Sequence, residues 1–172
     1  RRLGAVLYGV LRPWPWLVAS ASTTYVNAEL LDPPPATASE PDPPFEAGQN
    51  LPFVAPVVVR SDLGVQRELP GVLWGQRTSV TAGLGLSALS RRPLPRSAFA
   101  DPFALLDASL ELRWGPVDVR LETFNLLDTR YAALEYNFVS QWEPSAPSSR
   151  VAARHFSAGA PRTLLLSLGV RP

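Results

Sequence analysis

Between Leu106 and Trp114 the chain reads Leu-Asp-Ala-Ser-Leu-Glu-Leu-Arg-Trp, with every even-numbered residue apolar and every odd-numbered one polar. Successive side chains of a strand point to opposite faces. A strand therefore puts Leu106, Ala108, Leu110, Leu112 and Trp114 on one face and Asp107, Ser109, Glu111 and Arg113 on the other. A helix would scatter the same charges around its circumference. The segment is read as a strand with one apolar and one charged face.

The same period recurs. Over 162–171, Leu164, Leu166, Leu168 and Val170 oppose Leu165, Ser167, Gly169 and Arg171. Over 117–122, Val117, Val119 and Leu121 oppose Asp118, Arg120 and Glu122. Over 57–66, Val57, Val59, Ser61, Leu63 and Val65 oppose Arg60, Asp62, Gly64 and Gln66. Over 78–88, Val80, Ala82, Leu84 and Leu86 oppose Thr81, Gly83, Gly85 and Ser87. Weaker segments at 2–11 and 16–29 bring the total to seven strands. Nineteen Pro and eleven Gly disfavour long helices, and no apolar run reaches the length of a membrane-spanning helix.

Connections alternate in length. Residues 12–15, 68–75 and 115–116 are short links, whereas 31–52, 90–102 and 127–161 are long and carry most of the Pro. Structureless loops of that size are uncommon inside a compact soluble domain. Short turns at one end and long loops at the other are the pattern of outer-membrane barrels. Trp14, Trp16, Trp74 and Trp114 fall at the short turns, as an interfacial girdle requires, and Trp142 lies in a long loop. Tyr25, Phe53, Phe103 and Phe124 lie at the opposite strand ends and are expected to supply a second girdle; the competing reading has these aromatics plug a soluble barrel or sandwich.

Several function classes are excluded. A net charge of +1, with all sixteen cations Arg, provides no field for nucleic acid. With no Cys and a single His, His155, there is no disulfide framework, thiolate nucleophile or multi-histidine metal site. No cofactor is expected. Glu111 and Glu122 are held ionised by Arg neighbours, which does not suit a paired-carboxylate hydrolase. Gly83-Leu84-Gly85 lies within a strand, where it gives room for close packing instead of cradling phosphate. No catalytic constellation emerges. The strand charges Arg60, Asp62, Asp107, Glu111, Arg113, Asp118, Arg120 and Glu122 meet either water or a wet lumen, and Glu111 or Arg113 is expected to pair with Arg120 or Asp118 across neighbouring strands. Arg1-Arg2, the apolar stretch to Leu11 and Ala19-Ser20-Ala21 have some features of a secretory signal, but Arg12 and the two Pro beside it interrupt the apolar region.

Three elements stand out in order: Leu51-Pro52-Phe53-Val54-Ala55-Pro56 leading into a Val-rich strand, Asn125-Leu126-Leu127-Asp128-Thr129-Arg130-Tyr131-Ala132, and Gly159-Ala160-Pro161-Arg162 leading into the last alternating strand. Together they resemble the C-terminal end of TonB-dependent outer-membrane receptors. The resemblance implies an all-β fold: residues 1–172 as about seven strands of an antiparallel up-and-down transmembrane barrel, with short periplasmic turns and long extracellular loops. The complete family barrel has about twenty-two strands around an N-terminal plug. Its implied partners are outer-membrane lipid, the rest of the barrel and its plug, TonB acting through that plug, and the barrel-assembly machinery. The implied cargo is a nutrient chelate such as an iron–siderophore complex or cobalamin. The plug and the earlier strands lie outside this sequence, and Val170-Arg171-Pro172 lacks the family's terminal aromatic. Residues 131–138 are read as an extracellular hairpin, since a further crossing there would reverse the last strand.

Ligand contacts are sought among loop aromatics and arginines: Phe45, Arg96, Phe99, Tyr136, Trp142 and Arg154. The strand charges would line the lumen. Two other readings remain open, an autonomous small outer-membrane barrel acting as pore or adhesin, and a soluble lipocalin-like barrel with the apolar face turned inward.

Overall fold

The structure, a computed structural model, describes residues 1–35, 45–141, 143, 145 and 150–171. The described residues are all-β. In chain order the strands are β1 (Arg2–Trp14), β2 (Leu17–Ala28), β3 (Val57–Leu73), β4 (Gln76–Leu89), β5 (Arg92–Pro93), β6 (Phe99–Ala100), β7 (Phe103–Trp114), β8 (Val117–Phe124), β9 (Ala132–Gln141), β10 (Arg150–Ala158) and β11 (Thr163–Val170). Seven of them form one antiparallel sheet in the order β1-β2-β3-β4-β7-β8-β11. Each corresponds to one of the seven alternating segments. β5–β6 and β9–β10 are separate two-stranded pairs lying within the second and third long connections.

Register turns the alternation of single strands into two continuous faces. Leu17, Val65, Ala82, Leu110, Leu121 and Leu166 stand opposite one another across six strands. The next rung carries Gln66, Thr81, Glu111, Arg120 and Ser167. A slip of one residue anywhere would bury charges among leucines, so the pattern specifies the pairing strongly.

The sheet is open, and its edges β1 and β11 do not pair with each other. Among the described residues no second layer covers its apolar face: Leu63, Leu84, Leu110, Leu112 and Leu121 remain exposed in interior strands, and Leu166 in β11 is 63% exposed. The all-β, antiparallel expectation is met as an open seven-stranded sheet that is not closed into a barrel.

Two connections differ from expectation. The link at 68–75 is mostly strand: β3 continues to Leu73, leaving Trp74-Gly75 as the turn. Pro70 cannot donate to a ladder, and the pairing register shifts between Glu68 and Val72 to pass it. Gly71, at φ 90°, supplies the left-handed backbone of this bulge. Likewise β1 runs through Arg12 to Trp14, leaving Pro15-Trp16 as the turn, so the stretch with signal-like features forms β1, this turn and the start of β2. In the third connection a hairpin is present, but 132–138 lies on its first strand alone, and β10, ending at Ala158, supplies the second.

Dense packing is concentrated at the long-connection end. Leu94, Ala100, Asn125, Glu135 and Asn137 are buried there.

Candidate functional site

The eight strand charges singled out from sequence occupy one face. Arg60 and Asp62 of β3 form an ion pair at 2.9 Å, and Arg60 also donates to Ser87 Oγ of β4 at 3.1 Å. On β7, Glu111 accepts from Arg113 at 3.1 Å. Arg120 of β8 donates to Glu111 through Nε at 3.0 Å and also through Nη2. The cross-strand pairing of Glu111 with Arg120 is as expected. Asp118 meets Arg171 at 3.5 Å, and Asp107 accepts from the Asn125 backbone N–H at 2.9 Å. Asp107 and Glu122 follow the same register at the rungs of Gly85 and Gly83. The space above those glycines is taken by the wall's own side chains, with Asp62 and Arg60 beside Gly85 and Ser109 beside Gly83. The room anticipated for close packing is thus filled laterally, from neighbouring strand positions.

At the long-connection end the segment 125–131 acts as a clasp. Asn125, at φ 51°, donates from Nδ2 to the carbonyls of Thr129 at 2.9 Å and Ala160 at 3.1 Å, while its Oδ1 accepts from the Thr129 N–H. Asp128 accepts from the Arg162 N–H at 3.0 Å. The Gly159 N–H donates to the Tyr131 carbonyl at 2.8 Å, and a Cβ at Gly159 would fall within the Tyr131 ring. Asn suits the left-handed backbone because its short polar side chain bonds locally. The end of β8 is thereby tied to the start of β11, and β9–β10 is pinched off between them.

That hairpin folds against the second connection. Glu135, with its side chain 3% exposed, accepts from Arg154 at 3.0 Å and from the Asp101 N–H at 3.1 Å. Arg154 also reaches Asp101 at 2.9 Å. Its hydrogen bond, and secondarily its charge, hold the Asp101 carboxyl below the ordinary value near 3.8. The Arg154 guanidinium is raised in turn, chiefly by its bond to Asp101. Asn137 donates to the Pro95 carbonyl at 2.9 Å. The first connection joins this cap through the Phe53 N–H to the Pro93 carbonyl at 2.8 Å and Gln49 to Ser97 at 2.9 Å. A cavity of about 520 Å3 lies where hairpin and clasp meet, lined by Asp101, Phe103, Tyr131, Glu135, Arg154 and Phe156.

Of the proposed ligand contacts, Arg154 lines this cavity, but its charge is already shared between two carboxylates. Tyr136 packs on Phe53 with ring centroids 5.6 Å apart. Phe99 lies beneath Arg91, whose guanidinium carbon is 4.1 Å from the ring centroid. Arg96, at φ 59°, sits in the turn between β5 and β6, and Phe45 lies in the first connection. Trp142 lies outside the described residues. The six are thus spread over three connections. Asp101, Glu135 and Asn137 were missed. Glu135 and Asn137 alternate with Leu134, Tyr136 and Phe138 and were readable as strand positions; Asp101 is 53 residues from Arg154 and carried no local signal.

The two sets of aromatics expected at the strand ends are unequal. Trp14 stacks on Trp16 at 5.3 Å and Trp74 meets Trp114 edge-on at 5.6 Å, both at the short-turn end. Of the four aromatics assigned to the opposite belt, Tyr25 shares the apolar face, paired with Val57. Phe103 and Phe124 follow the charged register, while Phe53 belongs to the cap. No family model, curated protein or solved structure matches this chain.

Proposed function

We propose that the chain is the C-terminal part of a TonB-dependent outer-membrane receptor barrel, serving uptake of a nutrient chelate such as an iron–siderophore complex or cobalamin. The observation that carries this reading is the in-register apolar face, over which the described residues place no protein layer. An exposed apolar surface of this extent needs a partner or a lipid phase. β2 and β3 pair over nine rungs from Leu17/Val65 to Tyr25/Val57, and a tilted strand crosses a bilayer in about 9–11 residues. The tryptophans mark one boundary of that span. In this assignment the short turns are periplasmic, the cap is extracellular and takes part in ligand capture, and the charged face lines a lumen occupied by the plug. TonB acts through that plug, outside these residues, and the barrel-assembly machinery inserts the whole.

The autonomous barrel and the soluble barrel both require the sheet to close upon itself. In an antiparallel meander of seven strands the first and last run in the same direction, so β1 and β11 cannot meet as antiparallel neighbours. Lipid does not tolerate open edges, which favours completion by further strands of the receptor.

The chain contains no cysteine, which makes it a clean template for solvent mapping. Single cysteines at Leu84, Leu110 and Leu121 are expected to resist a water-soluble maleimide in vesicles and to be reached by a lipid-soluble quencher. Cysteines at Thr81 and Ser109 should show the reverse. Rapid aqueous labelling of the first set in a compact, lipid-free monomer would overturn the reading.

A further inference from the structure

The apolar face carries one charge within the seven strands, among the described residues: Arg67. It follows Leu63 and Val65 at period two and stands opposite Val80 of β4, so it belongs to the leucine-and-valine face and not to the face of Arg60 and Glu111. Its level is that of the tryptophans. The Gln66 N–H donates to the Trp16 carbonyl at 2.9 Å, and the Arg67 guanidinium carbon lies 5.8 Å from the Trp16 ring centroid. None of the ion pairs on the described residues engages it. From four rungs further from the turn, the same face has a hollow of about 550 Å3 where small side chains lower the surface, lined by Leu11, Ala19, Ala21, Ser61, Leu63 and Leu84.

A cation at a lipid-facing position is tolerated near the interface and penalised at mid-depth. Guanidinium matches phosphate oxygens with paired N–H donors, and an indole face beside it steadies the cation. We propose that Arg67 and Trp16 bind the phosphodiester of an anionic phospholipid, one of whose acyl chains lies in the hollow bounded by Ala19, Ala21 and Ser61. This rests on the membrane assignment and adds a defined lipid site to it. The adjoining apolar hollow is what selects a lipid over free phosphate.

The test is native mass spectrometry of the full chain in a neutral detergent, titrated with phosphatidylglycerol. The intact chain is expected to retain one lipid. Arg67→Gln should weaken retention about fivefold, the scale of one interfacial cation on an anionic lipid. Ala21→Phe, which fills the hollow, should weaken it comparably, while Arg60→Gln on the other face should leave it unchanged. Equal retention by Arg67→Gln, or displacement of the lipid by millimolar inorganic phosphate, overturns the site while leaving the membrane assignment standing. A chain that is monodisperse without detergent and takes up no lipid overturns both.

Discussion

The sheet and the cap of this protein are held together differently. In the cap, side chains close on one another: Asn125 spans two carbonyls, Glu135 is buried against Arg154, and Tyr131 covers Gly159. In the sheet, backbone ladders and ion pairs run along a wall whose apolar side is not covered by any other of the described residues. The cap carries its own packing, whereas the apolar side chains of the sheet stay exposed. A substitution in the cap should cost the same in any folded preparation. A substitution on the apolar face should have a cost that depends on what surrounds it.

The largest expected effect separates the two solvents. Leu110→Arg places a charge at the middle of the apolar face and should cost about 2–4 kcal/mol of unfolding free energy in vesicles. Thr81→Arg, beside Glu111 on the other face, should cost little. Denaturant titration in vesicles measures both, and equal costs would break the distinction between the faces. Next comes the clasp. Asn125→Ala removes three hydrogen bonds and leaves buried groups unpaired, for about 2–3 kcal/mol in lipid and in detergent alike. Gly159→Ala forces the Tyr131 ring aside and should cost about 1–2 kcal/mol; Tyr131→Ala in the same chain should recover much of that loss.

The smallest effect is acid release of the hairpin. Asp101 binds its proton less readily when paired with Arg154, so the pair's contribution is complete above the ordinary carboxyl value of 3.8. It fades as pH falls through the lowered value of the docked hairpin. Amide exchange over β9–β10 is expected to accelerate in that acidic window while exchange in β4 and β7 stays slow. Acceleration of both together would show that cap and sheet open as one unit.

The two regions were also unequally legible. Sheet membership was readable because a one-sided environment writes itself into every second residue; five strands followed from that period, and β1 and β2 from weaker segments. The bulge at Pro70 broke the pattern locally, which hid the outer part of β3, and reading that strand only as far as Gln66 left Arg67 unassigned. The cap was readable only as a resemblance. Asn125, Asp128, Tyr131 and Gly159 stood out as a motif, but their bonds join residues about thirty positions apart, beyond any local periodicity. Phe53 and Phe103 were placed in a lipid belt for their position near strand ends, whereas ring contacts with Tyr136 and Tyr131 draw them into the cap.

The shared direction of β1 and β11 has an arithmetical consequence. Any segment that seals this wall into an all-antiparallel ring must contribute an odd number of strands. Growth or loss within such a ring can proceed only by whole hairpins, because one strand more or less would carry every later loop to the opposite mouth.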